Sequence, residues 1–332
     1  MKDPIVSIII ITRNRPFLLR HCIQRVLAQN YLHKEIIVVD SSTNGESEEV
    51  VARYPGVISV RLRGQYNNMP QARNEGIAVS SGDIIAFIDD DSMVYPKWLL
   101  SLVEAYQDET VGAAGGRIVR RPEPYCDQIS GTPDLSITPA GIVIAQNVDL
   151  VGTAQIEVDH LIGCNMSFRR KALEQVGGFD PNYTATNLRE ETDLCVRVKK
   201  AGWRIVFVPS ITVIHVSARA KTFFTELPGI QFSNGRNITY FSLKHFGLAP
   251  RVLVGQFLDL GYSWKRAISL SGIFLFGVLA QMAGRVIGLG VGIAWLMSSK
   301  RRAAAAPKIE RRNQAASERR SLRAATSGES VE

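Results

Sequence analysis

The segment Val6–Thr12 (VSIIIIT) is a run of β-branched apolar residues that breaks off into Thr12-Arg13-Asn14-Arg15 and then Pro16. A run of this kind has the composition of a strand covered on both faces, and proline suits the first turn of a helix. The chain therefore opens as strand, loop and helix. The rhythm recurs: Glu35–Asp40 (EIIVVD), Ile58–Leu62 and Asp83–Asp89 (DIIAFID) predict further strands, with helices over Pro16 to about Gln29 and over Pro70–Ala78. Strands alternating with helices predict a largely parallel α/β sheet. Ligands of such sheets bind beyond the carboxyl ends of the strands. Thr12 to Arg15, Asp40 to Ser42 and Asp89 to Asp91 all fall at that edge, so three polar clusters are expected on one cleft.

Past Val111–Val119 the pattern loses its regularity around Pro122, Pro124, Pro133 and Pro139, and order resumes near Leu161, where residues 161–180 predict a short strand, a short helix and a Gly177-Gly178 stop. Glu191–Ala201 predicts a helix with Leu194, Val198 and Ala201 on one face and Gly202 as its stop. The 332 residues are 45% hydrophobic and 21% charged, which excludes disorder of the whole chain. The formal net charge is +8, with much of the excess in the C-terminal third. No zinc-finger spacing or RNA-binding signature accompanies it, so an anionic lipid surface is the expected partner rather than nucleic acid, the alternative being a solvated tail. The four cysteines form no CxxC pair, and the N-terminus carries no secretory signal pattern, so reduced thiols and a cytoplasmic catalytic part are expected.

Asp89-Asp90-Asp91 follows a buried strand. Residues two apart on an extended chain face the same way, so Asp89 and Asp91 can address one divalent cation while Asp90 points elsewhere. Few hard oxygen ligands suit Mg²⁺ or Mn²⁺ held jointly with substrate phosphates. The competing reading is a helix-capping acid cluster without metal.

Five blocks, SIIIITRNRP, EIIVVDSS, QARNEGIAVSSGDIIAFIDDD, GCNMSFRRKALEQVGGFD and REETDLCVRVKKAGWRI, together resemble the family 2 glycosyltransferases of GT-A fold over about residues 5 to 215. The resemblance implies an inverting transfer of sugar from a nucleotide-sugar donor, UDP- or dTDP-type, to an acceptor hydroxyl. It implies that Asp40 binds the donor base, which a simple turn-forming aspartate would not do. It sets Thr12, Arg15, Arg73, Asn74, Asp89 and Asp90 around the donor, and Asp91 with Asp89 on Mn²⁺ or Mg²⁺. Arg73 is open to a second reading as a structural partner of Asp83 or Asp91. The family's ED pair aligns with Glu190 and Glu191, which makes Glu191 the catalytic base where the commoner residue is Asp. Asn187 and Glu190 also match a capping box, the structural alternative for this pair. Asn165 and Glu190 fall on the acceptor side, and His215 near the metal, or else in the core. Rival classes are a sugar nucleotidyltransferase, whose Gly-rich loop is missing after the first strand, and an inactive sugar-binding scaffold.

The expected organisation is a catalytic domain over residues 1–220, a helical extension over 221–263, an apolar membrane-directed segment over 264–299 and a basic tail over 300–332. Ile268–Met297 is long enough to span a bilayer. Arg285 near its centre would cost at least about 2.5–3.5 kcal/mol, which favours an interfacial or hairpin arrangement, and a third reading is an ordinary buried hairpin or oligomer contact, with glycines letting helices approach. Cell-surface saccharide or glycolipid assembly on the cytoplasmic face of a membrane is the corresponding expectation.

Overall fold

A computed structural model of the chain describes residues 3–62, 68–121, 131–149, 152, 154–216, 227–252, 254–255 and 273–297. The first part builds β1 (Val6–Thr12), α1 (Pro16–Leu27), β2 (Lys34–Asp40), α2 (Glu46–Val51), β3 (Val57–Arg61), α3 (Met69–Val79) and β4 (Ile84–Asp89). Ile8, Ile9 and Ile10 of β1 and Ile84 to Ile88 of β4 are all buried, as uninterrupted apolar runs require. β1 pairs in parallel with β2 and β4, and β2 with β3. The registers set Thr12 beside Asp40, Ile11 beside Asp89 and Asp40 beside Arg61, so the polar ends stand level at one edge. Gly76 lets α3 lie close on the sheet, since a Cβ there would collide with Ile9.

Beyond β4 the sheet is mixed, not largely parallel. β5 (Ser92–Val94), α4 (Trp98–Ala105), β6 (Val111–Arg121), β7 (Ile156–Glu157), β8 (Met166–Arg169), α5 (Arg170–Val176), α6 (Glu190–Lys200) and β9 (Arg204–Val216) follow. The strand order is β3-β2-β1-β4-β8-β6-β9-β5, with β7 on β9. β8 runs antiparallel to β4 and β6, β5 and β7 run antiparallel to β9, and β6 and β9 are parallel. The cause is connectivity. β8 is entered from the long excursion after β6 and not through a crossover helix from β4, so nothing imposes a parallel pairing.

A bulge then aims the end of β9. Between the pairs Gly116–Val208 and Ile118–Val213, Arg117 alone stands opposite Pro209 to Thr212. Gly116 sits so close to the Val208 and Ile211 carbonyls that any side chain would strike them. The displaced end of β9 reaches β5, where Ser92 pairs with His215.

Two long helices, α7 (Leu227–Phe246) and α8 (Ile273–Met297), complete the described chain. Gly284 lies against the Phe232 backbone, Gly288 against Arg236 and Gly292 against Leu243, so the helices run parallel with a glycine every turn at their contact. Gln281 and Arg285 are buried. Within residues 273–297 these glycines lie at the contact with α7. Among the described residues no helix is long and apolar enough to cross a membrane. Most of residues 253–272, Cys126 and the basic tail lie outside the described residues.

Candidate active site

The strand ends converge on a cleft of about 410 Å³, lined by Thr12, Arg13, Arg15, Ser41, Asn68 and Asp89 to Asp91 among others. Asp89 closes β4, and Asp90 and Asp91 form the turn into β5. Asp89, Asp91 and His215 each offer one ligand atom, and these atoms lie within 4.8 Å of one another. His215 Nε2 is 3.1 Å from Asp91 Oδ1. The Val216 N–H donates to the Asp91 carbonyl at 2.8 Å and fastens β9 to the turn. Asp90 turns away from this point. It accepts from Thr12 Oγ1 at 2.8 Å and pairs with Arg15 Nη1 at 3.2 Å, while the same Arg15 nitrogen lies 2.9 Å from Asp91 Oδ2.

The three acids are held in different states. Burial pushes Asp90 up to about 6, against the opposing pull of Thr12 and Arg15. Burial also raises Asp89, with Arg73 its strongest counterweight. At Asp91 burial is outweighed by His215 and then Arg15, and its carboxyl stays below the usual carboxylate range. Two carboxylates and an imidazole facing one point fit Mn²⁺ or Mg²⁺. A capping role does not fit, because α4 begins at Trp98 behind Lys97 with no side-chain cap.

Arg73 joins this cluster to α6. It is 1% exposed, its Nη2 lies 3.4 Å from Asp89 Oδ1, and its Nη1 pairs with Glu190. The guanidinium also lies over the Phe179 ring, 5.5 Å from its centroid. Its partners are therefore Asp89 and Glu190, not Asp83 or Asp91. Glu190 is buried at the first turn of α6, and Glu191, half-buried, follows it. The capping box does not form. The residue before the helix is Arg189 in the left-handed region at φ 77°, without a side-chain cap, and the Asn187 amide donates to Ala185 O at 2.9 Å. Glu190 is drawn to Arg73 instead.

Three expected contact residues hold the backbone. Asn165, expected on the acceptor side, is 1% exposed: its amide donates to the Arg117 and Ile211 carbonyls at 3.2 and 2.8 Å and accepts from Trp98 Nε1 at 3.0 Å. It fills the β6–β9 bulge. Asn74, expected at the nucleotide, clasps the Phe179 backbone, donating at 2.8 Å and accepting at 2.9 Å. Asp40 stands at the strand end but is 1% exposed, accepting from the Ser42 N–H at 2.8 Å and pairing with Arg61 at 2.9 Å. Arg61 and Asn68 escaped the sequence reading. The available signal for Arg61 was its register opposite Asp40, which is invisible until β2 and β3 are paired.

Residues 7–177 match the family described as Glycosyl transferase family 2, and residues 152–221 match that described as N-terminal domain of galactosyltransferase. The glucosyl-dolichyl phosphate glucuronosyltransferase of Haloferax volcanii is 26% identical over 64% of this chain and 69% of its own length. The chain spans smaller shares, 18% and 42%, of an O-antigen biosynthesis protein of Myxococcus xanthus and the pre-mycofactocin glycosyltransferase of Mycobacterium tuberculosis. A mannosyltransferase of Pyrobaculum calidifontis, solved with GDP-Man and Mn²⁺, superposes over 96% of this chain and 88% of its own with a TM-score of 0.54 at 18% identity, a likeness of fold. The chain belongs to glycosyl transferase family 2, with an α/β GT-A-like fold, and is a transferase.

Proposed function

We propose that the protein transfers a sugar, with inversion, from a UDP- or dTDP-type nucleotide sugar to the hydroxyl of a saccharide or glycolipid acceptor at the cytoplasmic face of a membrane. The observation that carries this reading is the meeting of Asp89, Asp91 and His215 at one corner of a cleft that Arg73 connects to Glu190 and Glu191. Support for a metal-held diphosphate comes from the Pyrobaculum mannosyltransferase, whose complex contains GDP-Man and Mn²⁺. Asp89, Asp91 and His215 are the residues to hold Mn²⁺ or Mg²⁺, which supplies positive charge against the leaving diphosphate. The donor's nucleobase rests at the ends of β1 and β2, beside Thr12 and Ser41. Arg15, half exposed at the cleft wall, turns its guanidinium to the phosphates.

Glu191 takes the proton of the acceptor hydroxyl as that oxygen attacks the anomeric carbon, on the face opposite the departing diphosphate. The buried Arg73–Glu190 pair fixes the first turn of α6 and so the position of Glu191. The test is nucleotide-diphosphate affinity with and without Mn²⁺, first across a donor panel followed by thermal shift. Asp91→Asn is expected to weaken UDP binding at least tenfold in Mn²⁺ and little without it. Equal metal-dependent affinity in variant and parent overturns the metal assignment.

A further inference from the structure

The polarity of α8 is reversed relative to a helix lying on a water-soluble core. Its polar and small residues, Gln281, Gly284, Arg285, Gly288 and Gly292, are buried, the glycines against α7. Four of its large apolar residues face out, with Leu279 52%, Met282 42%, Val286 69% and Ile287 49% exposed, while Val291 and Trp295 pack against the cluster of Tyr183, Tyr240 and Phe241. From Leu279 to Ala294 every exposed position is apolar or glycine, a stripe about 24 Å long at 1.5 Å per residue. The Arg285 charge that weighed against bilayer contact in the sequence is turned inward.

The charge around this stripe names its partner. Between Asp259 and Glu310 the sequence holds no acidic residue and seven basic ones, Lys265, Arg266, Arg285, Lys300, Arg301, Arg302 and Lys308. An apolar face set in a purely cationic stretch complements an anionic phospholipid surface, whereas two copies of it would bring like charges together. We propose that the outer face of α8 lies in the plane of an anionic membrane, with Leu279, Met282, Val286 and Ile287 among the acyl chains and the helix parallel to the surface. This deepens the membrane placement proposed above and rests on it.

The same helix pair is tied to the catalytic side. α7 holds the segment leading into α6: Ser233 and Asn237 donate to Thr184 O at 3.1 Å, and Arg236 donates to Asn182 O at 2.8 Å. A membrane under α8 thus sits one helix away from the Glu190–Glu191 turn, the side from which a lipid-borne acceptor arrives.

The test uses the full chain with phosphatidylcholine vesicles, alone or mixed with phosphatidylglycerol, and compares the parent with Val286→Glu/Ile287→Glu. Thermal unfolding verifies the fold, and either single variant serves if the double one is unstable. The parent is expected to sediment with the anionic vesicles, and the double variant to bind them roughly a hundredfold less. Mn²⁺-dependent donor hydrolysis should be equal in both. Failure of the parent to bind either vesicle, or equal binding by both proteins, overturns the proposal. A dimer that the variant converts to monomer, with vesicle binding unchanged, assigns the face to a second copy instead. Loss of hydrolysis in both proteins counts against the transferase reading and not against the surface, so the two failures are distinct.

Discussion

Polar side chains at the strand ends divide into those that face the cleft and those that hold backbone around it. Asn165 is of the second kind, filling the bulge that delivers His215 to Asp91. Asn165→Ala strands two buried carbonyls and the Trp98 indole N–H. Each such group costs about 1–3 kcal/mol, so a loss of roughly 3 kcal/mol or more is expected in urea unfolding. Mn²⁺ affinity should fall as His215 loses its seat, with the acceptor KM of the folded fraction little changed. Parental stability with a raised acceptor KM would return Asn165 to the acceptor side. Asn74 lies in the same sequence block as Asp89 to Asp91, and residue type alone does not separate the two kinds. What sets Asn165 apart is a slip of three residues between β6 and β9, made possible by a glycine nearly a hundred positions from its partner strand.

At the scale of elements, β1 to β4 were legible because apolar-rich segments of five to seven residues alternate with helical patterns. β8 and β5 were not. Four wholly buried residues and three residues of strand carry no period, and their antiparallel pairing follows from a loop that lacks regular structure in the sequence. The lock between α6 and α7 was equally hidden. Asp193 on α6 is fully buried and meets Arg197 at 2.8 Å and Lys244 and His245 at 2.7 Å each. Burial alone would raise Asp193, but Lys244 and Arg197 outweigh it and hold the carboxyl well below its usual range. Burial lowers His245 more than Asp193 raises it, so near neutral pH it is the uncharged imidazole that donates Nε2–H. A carboxylate depressed in the folded state contributes stability above its unfolded pKa of about 4 and loses it as pH falls further. The parent should therefore lose stability steeply below about pH 4. Asp193→Asn should flatten that acid limb and, by leaving Lys244 with Asp180 as its remaining carboxylate, lower neutral stability by about 1.5–3 kcal/mol. Identical pH profiles for the two proteins would show that the lock contributes nothing.

At the scale of the whole molecule, a parallel half supplies most of the cleft and a mixed half supplies His215 and α6, and Arg73 joins them by touching Asp89 and Glu190. The general position of the cleft could be read from where apolar runs end in polar residues. The Arg73 bridge could not, since its three members lie on α3, β4 and α6. That bridge gives Glu190 and Glu191 different work, Glu190 buried on Arg73 and Glu191 beside it without a capping role. The most direct test is single-turnover transfer by Glu191→Gln and Glu190→Gln, with donor and Mn²⁺ affinities measured in parallel. The account predicts that Glu191→Gln lowers the transfer rate roughly 10²- to 10⁴-fold at parental donor and metal affinity, while Glu190→Gln chiefly lowers stability. Full transfer by Glu191→Gln, or inactivation confined to a stable Glu190→Gln protein, would contradict it.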